Sequence, residues 1–320
     1  MALTNIPSVD LADFISGDES RKQKFVDKIG KAYEEIGFVS LKNHFLDEGL
    51  MDKLYEEVKS FFGLSEETKK NYEIKDLNGQ RGYIPFGTET AKGKKKADLK
   101  EFWHFGQEPA ADANLPETYP ENVQVKELDD FNTTGMKAYK DLEKTGIYVL
   151  RALAIYIGLK ENYFDYWAEN GNSILRPIHY PPIEGEPKGA VRAGAHGDIN
   201  LITLLMGASS GGLQVLRKDG EWIDAIPEKG ELVINVGDML ERHTNNKLRS
   251  TVHRVKNPPR EKWAEPRYSI PFFLHPRSDM RLDCLEECID EQHPKQFEDI
   301  TAGEFLHQRL KEIGLVKNED

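Results

Sequence analysis

Hydrophobic and polar positions divide the chain into two unlike halves. Up to about residue 170, apolar residues recur mostly at helical spacing. "SRKQKFVDKIGKAYEEIGF" places them at Phe25, Ile29, Ala32 and Ile36, and Gly37 follows as a stop signal. "DEGLMDKLYEEVKSFFGL" is a second amphipathic helix, and "SEETKK" a helix start with an N-cap serine and an acidic first turn. Long helical stretches then run from about Asn122 to Tyr163. Three segments break the pattern. "IPSVDLADF" reads as a short strand and a turn, and "FVSLKNH" alternates as a half-buried strand. "DLNGQRGYIPFGTETAKGKKKADLKEFWHFG" reads as a long irregular connection ending in a strand at "KEFWHF".

After Gly171 the helical period vanishes. "SILRPIHYPP", "AHGDINLITLLM", "GGLQVLRKDGEWIDAIP", "GELVINVGDML", "LRSTVHRVKNPP" and "RYSIPFFLHP" are short strand candidates separated by Gly, Pro, Asp or Asn turns. "RKDGEW" carries an Asp-Gly hairpin signal. "TAGEFLHQRLKEIGL" returns to a capped amphipathic helix. The predicted class is α+β. A mixed α/β region (1–110) and a helical segment (111–170) precede a jelly-roll core (171–280), and a C-terminal helical tail (281–320) follows, all within one unit.

Composition narrows the function classes. The 320 residues carry 43 basic and 55 acidic side chains, a formal charge of −12, which argues against general nucleic-acid or anionic-membrane binding. It leaves room for a local basic pocket that takes an acidic small molecule. The start, "MALTNIPSVDLADF", has no basic leader or long apolar run, and no window approaches the roughly 18 apolar residues of a membrane span. A cytoplasmic protein with a small-molecule substrate and no obligatory protein partner is the expectation. Cys284 and Cys288 would share a face if helical, but two thiols alone make a poor metal site, so both are expected reduced. Neither "GTETAKGKKK" nor "GASSGG" meets the P-loop spacing, which leaves Lys94 to Lys96 as a solvated loop.

The chemistry gathers in the strand-rich half. In "AHGDINLITLL", His196 and Asp198 stand two apart at the head of an apolar run. Positions two apart on a strand share a face, and an ionised carboxylate buried there needs compensation. A divalent metal supplies it; a satisfied buried pair is the competing reading. His253, inside the strand candidate "STVHRV", is a better third ligand than His243, which lies in the turn-like "ERHTNN". Two imidazoles and one carboxylate leave a metal face open, as in non-haem Fe(II) oxygenases. In "RYSIPFF", Arg267 and Ser269 again share a strand face. A buried arginine needs an anionic partner, either an internal salt bridge or a docked dicarboxylate.

The order "HGD…HRV…RYS", with "TLL" after the aspartate, resembles the isopenicillin-N-synthase-like Fe(II)/2-oxoglutarate dioxygenases. The likeness spans nearly the whole chain, through "IPSVDL", "GFVSLKNH", "RGYIPFGTE", "LKEFWHFG", "LRPIHYPP", "GGLQV" and "DGEWIDAIPEKGELVINVGDMLER". It implies a double-stranded β-helix core, with Fe(II) on His196, Asp198 and His253. It also implies that Arg267 and Ser269 hold the distal carboxylate of 2-oxoglutarate and that the Tyr180 hydroxyl joins them. The implied reaction uses O2 to oxidise a substrate C–H, by hydroxylation, desaturation or ring closure, while 2-oxoglutarate becomes succinate and CO2. One position departs: Ile178 stands where the family often has Asn, with Arg176 nearby as a substitute. "EFWHF" and "GYIPFG" are candidates for the pocket mouth or for plain core. Two other readings remain at this point, an Fe(II) oxidase that does not use 2-oxoglutarate and a non-catalytic metal-binding jelly roll.

Overall fold

The computed structural model describes residues 5–77, 79–88, 98–109, 115, 119–187, 190–207 and 211–312. Lys94, Lys95 and Lys96 and the centre of "GASSGG" lie outside the described residues.

Side-chain caps start the N-terminal elements. Strand β1 (Ser8–Asp10) runs straight into α1 (Leu11–Phe14), one helical turn where the sequence predicts a plain turn. The cause is Asp10, whose carboxylate accepts the Ala12 N–H at 2.9 Å while Leu11 and Phe14 are buried. Helix α2 (Glu19–Glu35) is capped by Asp18 and buries Phe25, Val26, Ile29, Ala32 and Tyr33. Gly37 then turns the chain at φ 71°, where a Cβ would sit 2.2 Å from the Arg249 carbonyl oxygen. After β2 (Phe38–Lys42), α3 (Glu48–Phe62) and α4 (Glu66–Lys70) begin at Asp47 and Ser65 caps. The stretch expected to be irregular contains β3 (Gly82–Ile84), held by pairing with β4 (Glu101–Gly106). Then come the long helix α5 (Phe131–Ile157), which ends at Gly158 with φ 91°, and the short α6 (Asp165–Ala168).

The strand-rich half supplies β5 (Ile174–Leu175), β6 (Ile178–Tyr180), β7 (Ala193–His196), β8 (Ile202–Met206), β9 (Leu213–Leu216), β10 (Trp222–Asp224) and β11 (Leu232–Val236). Helix α7 (Asp238–His243), β12 (His253–Val255), β13 (Arg267–Leu274) and α8 (Ala302–Glu312) complete the chain. One sheet runs β1-β2-β11-β8-β13-β5-β4-β3, with β6 pairing both β13 and β4; the facing sheet runs β10-β9-β12-β7. Every pair is antiparallel except β1–β2. This is a double-stranded β-helix (jelly roll) flanked by helices, an α+β protein. No helix among the described residues is long and apolar enough to cross a membrane.

Strand β2 is buried on both faces, not one. It lies between β1 and β11 in the larger sheet. Val39 and Leu41 join the main core with α2, α3 and α5, while Phe38 joins a separate cluster with Leu213, Val215 and Val233 between the two sheets. "EFWHF" divides in the same way. Trp103 and Phe105 pack with Phe61 and Phe131 in the helical core, while Phe102 clusters with Ile84, Ile178 and Tyr180. Cys284 and Cys288 do not share a helix face. Only Glu286–Cys288 forms a 3-10 turn, and both thiols are free and buried.

Candidate active site

His196 ends β7 and His253 begins β12, and the antiparallel register sets them directly opposite. Their ring centroids are 4.5 Å apart. Asp198 follows two residues after His196, and one ligand atom from each of the three lies within 4.8 Å of the others. The Nε2 atoms of His196 and His253 stand 3.8 Å and 3.7 Å from Asp198 Oδ1. These gaps are too long for hydrogen bonds and short enough for one ion to bridge.

Neighbouring groups leave those three atoms as the donors. His196 Nδ1 faces the Gly194 carbonyl at 2.7 Å, and His253 Nδ1 faces that of Thr251 at 3.2 Å. Each ring therefore holds its proton on Nδ1 and keeps the Nε2 lone pair for a metal. Asp198 Oδ2 accepts from Thr203 Oγ1 at 2.6 Å and Asn235 Nδ2 at 2.8 Å, which leaves Oδ1 to the ion. Burial works to raise the Asp198 carboxyl. The hydrogen bonds from Asn235 and Thr203 work against that cost. The donor set, its tautomers and its buried carboxylate fit a divalent metal.

A second group faces the space between the sheets from β13. Arg267 and Ser269 are both buried, and the register sets Arg267 beside Tyr180 and Ser269 beside Ile178. The Arg267 guanidinium carbon lies 5.0 Å from the centre of the Tyr180 ring. Arg267, Leu205, Leu213, Val233 and Tyr55 border a cavity of about 350 Å³. Arg176 lies between two aromatic rings, 4.5 Å from the Phe102 centroid and 5.0 Å from that of Phe273, and its Nε donates to His104 Nε2 at 2.6 Å. Phe273 pairs with Thr203, so it shares the face that carries the Asp198 contact. His243 is elsewhere. Its Nε2 meets the Tyr163 hydroxyl at 3.0 Å and its Nδ1 the Asp283 carbonyl at 2.7 Å.

Comparison with known proteins agrees with this arrangement. Residues 6–127 match the model described as non-haem dioxygenase in morphine synthesis N-terminal, and residues 171–276 match that of the 2OG-Fe(II) oxygenase superfamily. The 2-oxoglutarate-Fe(II) type oxidoreductase hxnY of Emericella nidulans is 31% identical, over 98% of this chain and 91% of its own. The chain belongs to the 2OG-Fe(II) oxygenase superfamily.

Solved structures agree with the assignment. A 2OG-Fe(II) oxygenase family protein from Caulobacter crescentus is 45% identical, with a TM-score of 0.87 over 97% of this oxygenase and 100% of that chain. A full-length Neurospora crassa protein, solved in complex with alpha-KG and thymine, is 32% identical, with a TM-score of 0.84 over 96% of each chain. Fe(II), 2-oxoglutarate and O2 are therefore the metal, co-substrate and oxidant of this oxygenase, and the readings as an oxidase without 2-oxoglutarate or as a non-catalytic jelly roll fall away.

Sequence reasoning missed the groups behind the ligands. Asn235 was legible in principle, as the one polar residue in the buried run "LVINV". Thr203 was seen only as part of "TLL". Asp98 is further removed. Its Oδ1 accepts the Gly194 N–H at 3.2 Å and its Oδ2 pairs with Lys100 at 3.0 Å. Nothing in "ADLKEF" signals a tie to the strand that carries His196.

Proposed function

We propose that His196, Asp198 and His253 hold Fe(II), and that Arg267 and Ser269, with the Tyr180 hydroxyl, receive the distal carboxylate of 2-oxoglutarate. The observation that carries this reading is the shared focus of two Nε2 atoms on Asp198 Oδ1, with a buried arginine on β13, the strand whose Phe273 pairs with the Asp198 partner Thr203. When bound, the iron and its co-substrate supply the oxidant for a substrate C–H, and succinate and CO2 leave. The protein's part is positional. Thr203 and Asn235 aim the carboxylate, backbone carbonyls fix the imidazole tautomers, and the guanidinium orients the co-substrate.

The substrate is a small molecule lying against Phe273, Arg176, Phe102 and Ile178. Two aromatic faces and a guanidinium suit a planar, polar compound with carbonyl acceptors. The thymine complex of the Neurospora crassa protein, at 32% identity, supports that class. Acidic composition and two free buried cysteines fit a cytoplasmic setting.

The test is an anaerobic titration of the Fe(II)-loaded protein with 2-oxoglutarate, following the weak visible metal-to-ligand charge-transfer band. A saturable band that His196→Ala or His253→Ala abolishes, and Arg267→Ala shifts to much higher concentration, supports the assignment. Iron retained in both histidine variants, or an unmoved titration in Arg267→Ala, overturns the corresponding residue. Succinate release across a panel of pyrimidines and related heterocycles then tests the substrate class.

A further inference from the structure

Arg192 stands just ahead of β7 and is 2% exposed. Its backbone is pinned, because its N–H donates to Asn257 Oδ1 at 3.0 Å and Asn257 Nδ2 donates to the Ala190 carbonyl at 2.8 Å. The side chain reaches away from that anchor. Its Nη2 donates to the Glu265 carbonyl at 2.9 Å, and its guanidinium carbon lies 6.0 Å from the Tyr180 ring centre. Arg267 faces the same ring at 5.0 Å. Two buried guanidinium groups thus close on one phenol ring, one from each sheet.

Like charges buried together are unfavourable unless an anion joins them. Among the described residues, Arg192 has no carboxylate within ion-pair distance, and its Nε is buried without a hydrogen-bond partner. Lys100, just ahead of β4, is matched by Asp98 at 3.0 Å. Burial, and then the nearby Arg267 charge, hold the Arg192 guanidinium below its ordinary value.

We propose that Arg192 is a second arginine for the distal carboxylate of 2-oxoglutarate and forms, with Arg267, a two-sided clamp across Tyr180. This rests on the co-substrate site proposed above and adds a residue from the opposite sheet. Arg267 and Ser269 approach the carboxylate from β13, and Arg192 approaches from the strand that ends in the ligand His196. The co-substrate's far end and one metal ligand are then tied to the same strand.

Binding to the Fe(II)-loaded protein without oxygen tests the clamp, using 2-oxoglutarate and 2-oxopentanoate. The second compound keeps the chelating end and chain length but ends in a methyl group. One charge-assisted contact corresponds to a change of about tenfold to a hundredfold. Arg192→Leu is expected to weaken 2-oxoglutarate by that factor and to change 2-oxopentanoate less than about threefold. Arg192→Lys keeps the charge but loses the planar fork, so its loss is expected to be smaller and again confined to 2-oxoglutarate. Should Arg192→Leu not fold, the ligand selectivity of Arg192→Lys decides.

An unchanged preference for 2-oxoglutarate, or equal losses for both compounds, overturns the clamp and makes Arg192 a packing residue. Arg267→Leu is measured alongside. If it weakens 2-oxoglutarate selectively while the Arg192 variants do not, the co-substrate site stands and the clamp falls. If it has no effect, the site itself is misplaced.

Discussion

Thr203 gives its hydroxyl proton to Asp198 Oδ2 at 2.6 Å and takes a hydrogen bond from the Asn200 amide at 3.0 Å. A β-branched residue near the start of β8 thereby aims the carboxylate of the proposed metal site. Thr203→Val keeps the shape and removes the donor. Iron affinity is expected to fall about tenfold, as when an outer partner of a metal ligand is lost. Stability is expected to fall by ~1–2 kcal/mol. An anaerobic Fe(II) titration checks the first; unchanged affinity would mean that Asn235 alone orients Asp198.

His243 offers a pH test away from the metal. Burial pushes its imidazole down to about 4 from an ordinary value of 6.5. Between those values the unfolded chain binds a proton that the folded chain refuses. The stability this neutral histidine contributes is therefore complete above about pH 6.5 and is lost progressively as pH falls toward 4. The difference over that window is about 3 kcal/mol. Urea unfolding from pH 7 to pH 4 should show a shallower loss for His243→Gln than for the native chain. Parallel curves would mean that another group carries the slope. Iron binding in this variant should be preserved.

Behind the proposed substrate wall, Glu101 is a hub of buried charge. Lys69 Nζ lies 2.8 Å from its Oε2, Tyr83 donates to the same oxygen at 2.5 Å, and His179 Nδ1 meets Oε1 at 2.7 Å. Three elements, α4, β3 and β6, are thus tied to β4, whose Phe102 faces the other way. Glu101→Gln removes one of the two carboxylates on the buried Lys69, the other being Glu66 at 2.6 Å, and a loss of about 1.5–3 kcal/mol is expected. KM for the primary substrate should rise while the 2-oxoglutarate titration stays in place. A shifted titration would show that the hub reaches the co-substrate side as well.

Gly135 in α5 sets two effects against each other. Alanine is the better helix former by about 1 kcal/mol. A Cβ at 135, however, would meet the Phe105 ring at 2.5 Å, and overpacking costs ~1–3 kcal/mol. Phe105 is itself wedged between Trp103 and Phe131, so it has little room to give. Gly135→Ala is expected to lower Tm despite the propensity gain. A raised Tm would show that the ring can move aside.

Much of the candidate site was legible because its signals are local. Arg267 and Ser269 stand two apart on β13, and a strand's period of two decides that they share a face, whereas Asp198 lies beyond the end of β7, in the irregular link to β8, and not on the strand that the sequence suggested. The helix cap at Ser65 is equally local, since a hydroxyl reaches only the next turn. The Asn-Asn turn at the end of "ERHTNN" was visible too, with φ of 49° at Asn245 and 66° at Asn246, whereas His243 itself closes α7 and is helical. Short-range spacing governs each of these features, so the sequence by itself determined them.

Tertiary structure decided which strands meet. Pairing of His253 with His196, of Tyr180 with Arg267 and of Asn235 with Thr203 is a matter of register between distant segments, and periodicity says nothing about it. The same holds for β2, whose alternation suggested one buried face. A strand flanked on both edges, with a core on each side, buries its polar-side positions as well. Arg192 is the sharpest case. Along the chain it is one basic residue in a loop-like stretch, and only the closing of the two sheets brings its charge to the ring that Arg267 faces. A side chain's reach sets what neighbours in sequence can do, whereas the packing of two sheets about 10 Å apart sets which distant charges must share one buried space.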